Sequence, residues 1–284
     1  MIKEISKYFS MVKFSHTVFA MPFALIGFFL GFSEYKADFM LFILIILCMI
    51  FARNSAMGFN RYLDRKIDKK NPRTENREIP KGDINPKNAL IFVIVNSILF
   101  ILTTYFINTL VLFLSPIAIF VILFYSFTKR FTSLCHFVLG IGLALAPIGA
   151  YLSVTGEFSL IPILFSFIVL FWVSGFDIIY ALQDFEFDKA EKLKSIPVLL
   201  GKKNALIFSI ILHILVAIVV VFVGILAKFS YFYWIGSLIF IGFLIYQHTL
   251  VKAEDLSKVN LAFGTTNGIA SVVYGFFTIL EILL

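Results

Sequence analysis

The sequence predicts an all-α fold: a polytopic membrane protein of nine transmembrane helices around a central cavity. Three observations carry that expectation. Of the 284 residues 60% are apolar and only 14% charged, with a mean hydropathy of +0.97; a soluble core of this size would leave more apolar surface than water tolerates. Apolar runs of roughly 20 residues recur, each long enough to cross a ~30 Å hydrocarbon layer as a helix, while the alternation of an outer-membrane barrel is absent. The cations are also sorted. Nearly all of the 24 Lys and Arg fall at the N-terminus and in alternate loops, whereas Lys36 and Lys228 lie on the opposite side and Arg53 lies inside a span. That positive-inside pattern puts the N-terminus and the loops near 61–87 and 183–204 in the cytoplasm. The net charge of +7 therefore reports topology and not nucleic-acid binding. Attraction to anionic lipid headgroups and to an anionic substrate is compatible with it.

The chain opens with an amphipathic segment over residues 1–15, in which lysines alternate with Ile, Tyr, Phe and Met, as at a membrane interface. Lys13 and His16 end it and read as interfacial side chains. Glu4 and the lack of a small-residue cleavage site predict that the first span is retained. Nine spans follow, at 16–33, 38–60, 88–108, 110–127, 132–152, 159–182, 205–227, 231–250 and 264–284, forming a single transmembrane domain over 1–284. Cys48 and Cys135 both fall within spans, so no disulfide framework or thiolate metal site is indicated. His213 and His248 have no second ligand at metal spacing and read as core or interfacial residues. Thr265, Thr266 and Asn267 read as polar helix-packing groups.

Chemistry concentrates in RNSAMGFNRYLDRKIDKKNPRTENREIPK, residues 53–81. Asn60, Asp64 and Asp68 recur every four residues, so on a helix each advances about 40° around the axis and about 6 Å along it. One amide and two carboxylates then line a single stripe, a donor set for Mg²⁺, which takes one or two carboxylates and completes its shell with water and phosphate oxygens. Arg53 lies seven residues before Asn60 on the same stripe. A buried cation there needs a partner, either an internal carboxylate or an anionic group of a substrate. Eight cations surround the stripe: Arg61, Arg65, Lys66, Lys69, Lys70, Arg73, Arg77 and Lys81. Cations interleaved with Mg²⁺-binding carboxylates suit a polyanion such as diphosphate.

The stretch DIIYALQDFEFDKAEKLKSIP repeats the theme. Asp177, Asp184 and Asp188 are offset by seven and eleven residues, again within about 40° on a continuous helix. Tyr180 and Gln183 accompany them, and Lys189, Lys192 and Lys194 follow. Between the two motifs, YSFTKRF brings Tyr125, Lys129 and Arg130 to the same membrane face. Two acidic stripes at helix ends propose a metal cluster. A diphosphate head with a hydrocarbon tail suits it, because withdrawing the tail from lipid would cost about 0.8 kcal/mol per CH₂.

These residues resemble the UbiA superfamily of intramembrane aromatic prenyltransferases, whose motifs are NDxxDxxxD and a DxxxD-bearing second motif. Here they stand as NRYLDRKID and DIIYALQDFEFD, followed by KSIP and, a few residues on, a Gly, with KFSHTVFAMPFA near the start and YSFTKRF in the middle. The likeness covers essentially the whole chain and is nearest the menaquinone-pathway branch labelled 4-hydroxybenzoate polyprenyltransferase-like. It implies an Mg²⁺-dependent enzyme of the bacterial cytoplasmic (inner) membrane. That enzyme would move a polyprenyl group from polyprenyl diphosphate to an aromatic acid acceptor, 4-hydroxybenzoate or 1,4-dihydroxy-6-naphthoate, through an allylic carbocation.

The resemblance also implies roles. Asn60, Asp64, Asp68, Asp184 and Asp188 would bind Mg²⁺ and diphosphate, and Arg65, Lys129 and Arg130 would contact phosphate. Arg53 would pair with the acceptor carboxylate, Tyr125 would be a further substrate-binding residue, and Asp177 and Tyr180 would orient or deprotonate the acceptor. Arg61 departs from the family pattern, standing where many members carry Asp. The competing readings are prenyl transfer to haem or glycerophosphate on the same fold, and a transporter, which would place its charges near the midplane on broken helices.

Overall fold

The computed structural model describes residues 2–13 and 19–284, with side chains from residue 6 onward. Among the described residues the chain is all helical apart from turns and one isolated bridge between Lys252 and Asp255. The helices are α1 Ile2–Met11, α2 Met21–Glu34, α3 Phe39–Asp68, α4 Pro86–Tyr105, α5 Thr109–Thr128, α6 Cys135–Thr155, α7 Leu160–Ala181, α8 Phe185–Ala190, α9 Ile196–Leu226, α10 Tyr231–Leu250 and α11 Asn267–Leu283. A 3₁₀ turn, Leu182–Asp184, joins α7 to α8, and a π-helical turn, Leu261–Thr266, leads into α11.

Eight of these segments are long and apolar enough to cross a membrane, making this a multi-pass membrane protein. The expected span at 16–33 corresponds to α2, which is apolar but has 14 helical residues. His16 lies outside the described residues.

The helices group into two compact units, one holding α1, α3, α4 and α5 and the other α2 and α6 to α11. In the first, α3 packs along α4. Two polar contacts link these helices within apolar surroundings: Asn54 Nδ2 donates to Asn96 Oδ1 at 2.9 Å and Ser97 Oγ to Ser55 Oγ at 3.1 Å. Such bonds hold membrane helices together where lipid offers no hydrophobic drive to associate. Residue Asn85 caps α4, its side chain accepting from the Lys87 amide, and Pro86 sits at the first helical position, where no N–H is needed. The N-terminal segment is helical over Ile2–Met11. Met11 and Val12, just at its end, bury against Ile79, Ile84 and Ala89.

The second unit closes on aromatic rings. Phe23, Phe165, Trp172, Phe240 and Tyr274 are fully buried, and Phe240 stacks on Tyr274 with centroids 4.7 Å apart. Helix α9 starts at Ile196, nine residues before the expected 205. Residue Ser195 caps it by accepting from the Val198 amide, and the helix then breaks at Gly201, where φ is +79°. That left-handed conformation is open to glycine at no steric cost, so the segment read as loop up to 204 contains a capped turn.

Candidate active site

In the first unit α3 runs unbroken for 30 residues, well past the expected span end at 60, and carries Asn60, Asp64 and Asp68 on one stripe as their spacing requires. The amide of Asn60 donates to Asp64 Oδ2 at 3.2 Å. Asp64 and Asp68 are buried, at 1% and 4% exposure. A buried carboxylate must be compensated, and Asp68 is so on one side only. Its Oδ1 accepts from Arg77 Nη1 at 2.7 Å, while its Oδ2 is buried with no hydrogen-bond partner. The turn after α3 delivers Arg77. Thr74 Oγ1 donates to the Asp68 carbonyl, and Asn71 accepts the Arg73 amide in an Asx turn.

Three cations of the motif are treated differently by the fold. The guanidinium of Arg65 is held on its own helix, donating to the Tyr62 carbonyl at 2.6 Å and lying over the Tyr62 ring at 4.5 Å. Arg53 and Arg61 each bury Nε with no partner. Among the described residues Arg53 makes no ion pair, and its one hydrogen bond is a long 3.5 Å contact to the Lys13 carbonyl. Of the two partners expected for Arg53, the internal carboxylate is therefore not supplied by the described residues of this unit. The predicted Tyr125 joins the cluster, within electrostatic reach of Arg53, Arg61 and Asp64.

In the second unit the structure corrects the expected stripe. The sequence placed Asp177, Asp184 and Asp188 on a continuous helix, but α7 ends at Ala181 and the chain tightens into the 3₁₀ turn before α8. Three residues per turn in place of 3.6 rotates everything downstream. Asp184 then sits in the turn and Asp188 on the short helix, both half-buried.

Asp177 instead meets a residue that sequence reasoning overlooked, His136, whose Nδ1 lies 2.7 Å from Asp177 Oδ2. The Ile196 amide donates to Nε2 of the same ring at 3.3 Å. Because Nε2 accepts, Nδ1 carries the proton and donates to the carboxylate. The buried His136 ring thereby ties the second motif to the start of α9. Tyr180 packs its ring on Phe263 at 4.2 Å, and Gln183 reaches the Tyr180 carbonyl and Asn260. The carbonyl of Lys129 accepts the Lys194 amide at 2.7 Å, so the KR segment braces the loop that follows the second motif. Lys129 and Arg130 are half-buried.

His213 and His248, read from sequence as isolated, are in fact partners, with His213 Nδ1 2.8 Å from His248 Nε2. Their separation of 35 residues hid the pairing. Among the described residues no group of three or more His, Cys, Asp and Glu side chains forms a ready-made metal site. The carboxylates of Asp68 and Asp177 are already held by neighbouring donors, as described above.

Comparison with known proteins identifies the family. Residues 20–274 match the UbiA prenyltransferase family. A 4-hydroxybenzoate octaprenyltransferase of Aliivibrio fischeri (strain MJ11) is 32% identical over 240 residues, covering 84% of this chain and 82% of that protein. One from Nitrosomonas eutropha is 28% identical over 238 residues, covering 84% and 82%. The apo structure of a UbiA homologue from Aeropyrum pernix K1 superimposes with a TM-score of 0.85 at 28% identity, covering 95% of this chain and 98% of that one. A UbiA homologue from Archaeoglobus fulgidus, solved with GPP and Mg²⁺, shares the fold with a TM-score of 0.76 at 22% identity over 98% of this chain and 100% of that one. With the family match spanning most of its length, this chain belongs to the UbiA prenyltransferase family and is a membrane-embedded transferase.

Proposed function

We propose that the protein transfers a polyprenyl group from polyprenyl diphosphate to an aromatic acid of the 4-hydroxybenzoate or 1,4-dihydroxy-6-naphthoate type, in quinone biosynthesis, with Mg²⁺ as cofactor. The observation that carries this reading is the pair of orphaned groups on α3: the buried Asp68 Oδ2 and the buried Arg53 Nε. An unpartnered carboxylate oxygen calls for a cation, and a guanidinium whose buried Nε has no acceptor calls for an anion. The names of the relatives support the acceptor class, and the GPP- and Mg²⁺-bound homologue supports the donor and the metal.

The donor set of Asn60, Asp64 and Asp68 is all hard oxygen, which fits Mg²⁺; Asp184 and Asp188 are of the same type. Bound there, the metal would supply charge neutralisation for the departing diphosphate. The chain's own residues do the rest. Arg61, Arg77, Lys129 and Arg130 hold phosphate oxygens, and Arg65 joins them once released from Tyr62. The allylic carbon–oxygen bond breaks, its electron pair leaving with the diphosphate, and the ring carbon beside the acceptor hydroxyl forms the new carbon–carbon bond. Arg53 grips the acceptor carboxylate with Tyr125 beside it. Asp177, oriented by His136 and flanked by Tyr180, takes the proton that the ring or its hydroxyl loses. The motif face, together with the N-terminus, lies on the cytoplasmic side of the inner membrane.

The test is a nanodisc assay with Mg²⁺, a long-chain prenyl diphosphate and the two acceptors in parallel, with product read by mass. Prenylated product with either acid supports the proposal, and the preferred ring assigns ubiquinone or menaquinone synthesis. Product with haem or a glycerophosphate but with neither acid overturns the acceptor assignment.

A further inference from the structure

The histidine pair of the second unit belongs to no part of the chemistry above, yet it closes one end of a groove. A cavity of about 450 Å³ lies between α9 and α10, lined by Ile210, Ile214, Ile218 and Val221 on one side and by Ile241 and Ile245 on the other, with His213 and His248 beside them. That volume falls in the range of small-molecule sites, about 300–1,000 Å³. From His213 the α9 wall continues eight residues to Val221, or about 12 Å at 1.5 Å per residue.

The hydrogen-bond chain behind the pair sets its tautomers. The Trp172 carbonyl can only accept, so His213 Nε2, 3.3 Å away, carries a proton. The Nδ1 of His213 is then an acceptor, and it receives His248 Nε2–H at 2.8 Å and the Gln247 amide at 3.4 Å. Gln247 is in turn fixed by Asn267 Nδ2 at 3.1 Å, and Asn267 by Trp172 Nε1 at 2.8 Å. All three of these anchoring residues are fully buried. Gly175 makes room for the arrangement, since a Cβ there would stand 2.3 Å from His213 Nε2. With its Nε2 proton committed, His248 keeps Nδ1 as a lone-pair acceptor, with no partner among the described residues.

We propose that this groove binds a neutral prenyl-tailed phenol or hydroquinone, its ring hydroxyl donating to His248 Nδ1 and the first isoprene units lying along the Ile210 to Val221 wall. The acceptor calls for a hydroxyl donor at the head, and the apolar wall takes the tail. No cation lines the groove, so a lipid that keeps its carboxylate would leave that charge uncompensated. Prenyl-tailed rings are the product class of the transfer proposed above, and the inference rests on that reading. The ligand class is a later, carboxylate-free lipid of the same series.

The test uses the full protein in nanodiscs and a radiolabelled geranylgeranyl hydroquinone in a scintillation-proximity binding assay. Competitors are its dimethyl ether, the carboxylate-bearing geranylgeranyl 4-hydroxybenzoate and a saturated alcohol of equal length. The hydroquinone should bind about fivefold more tightly than the ether, as one net hydrogen bond allows. His248→Phe should remove that difference while the ether still binds. Ile214→Trp, which fills the groove, should abolish both. Equal affinity for hydroquinone and ether, indifference to His248→Phe, or tighter binding of the saturated alcohol overturns the proposal. Product formation from 4-hydroxybenzoate and 1,4-dihydroxy-6-naphthoate, assayed in parallel, separates the readings: selective binding without product from either acid sinks the acceptor assignment and leaves the groove standing.

Discussion

His136 and Asp177 stand 41 residues apart in the chain and 2.7 Å apart in the fold, with the Ile196 amide on the far side of the imidazole. A carboxylate held at one oxygen by a neutral, pre-oriented donor keeps its charge and its aim. Removing His136 would leave a buried amide and an anion each short of a partner, at about 1–3 kcal/mol. Under the proposed function this geometry suits Asp177 to orient an acceptor or take its proton, with His136 positioning Asp177.

Asp177→Asn should lower kcat by about 10²–10⁴, the usual worth of a general base, with the KM for prenyl diphosphate unchanged. His136→Ala should lower kcat less and reduce Tm, and His136→Asn, which can still donate, should recover part of both. Steady-state kinetics and a thermal-shift assay check this. A His136→Ala variant with lowered Tm and normal kcat would make the pair purely structural.

Asp68, a predicted metal ligand, is ion-paired with Arg77, with Nη1 2.7 Å from Oδ1. Arg77→Ala should raise the KM for prenyl diphosphate by about tenfold or more. The loss of a bond to a charged group, about 1.5–3 kcal/mol, bounds it at roughly 10- to 150-fold. Asp68→Ala should lower turnover to a small measurable residue, and the double variant should be no worse than Asp68→Ala alone. Additive losses would show that the two residues act separately.

Arg53→Ala should raise the KM for the aromatic acid by tenfold or more, equivalent to about 1.4 kcal/mol, and leave that for the diphosphate unaltered. Removal of an uncompensated buried cation relieves a desolvation cost, so Tm should hold or rise. Parallel acceptor titrations and thermal melts decide it. A fall in Tm with an unchanged acceptor KM would assign Arg53 to the scaffold.

Ser195→Ala deletes the α9 cap and should cost about 1 kcal/mol, since the Val198 amide loses the Ser195 oxygen. Hydrogen exchange should then rise first at Val198 and in the loop after the second motif. Exchange confined to other helices would place the weak point of this unit elsewhere.

What the sequence determined by itself is local or compositional. Span positions follow from runs of apolar residues, and the stripe of Asn60, Asp64 and Asp68 follows from a four-residue spacing on a helix that stays regular. The stripe of Asp177, Asp184 and Asp188 failed for a physical reason: seven and eleven residues preserve a face only while the helix keeps 3.6 residues per turn, and Leu182–Asp184 does not. The early start of α9 escapes sequence reading because Pro197 and Gly201 read as loop signals, although Ser195 caps a helical turn there.

Only the tertiary structure decided which distant groups are partners. His136 with Asp177 and His213 with His248 are each joined across more than thirty residues, where spacing carries no information. Arg77 stood in the sequence as one cation among eight, and Arg65 as the nearer candidate. Burial and hydrogen bonding chose Arg77 for Asp68 and laid Arg65 on Tyr62. Those choices depend on where packing leaves a charge without water, which no local pattern records.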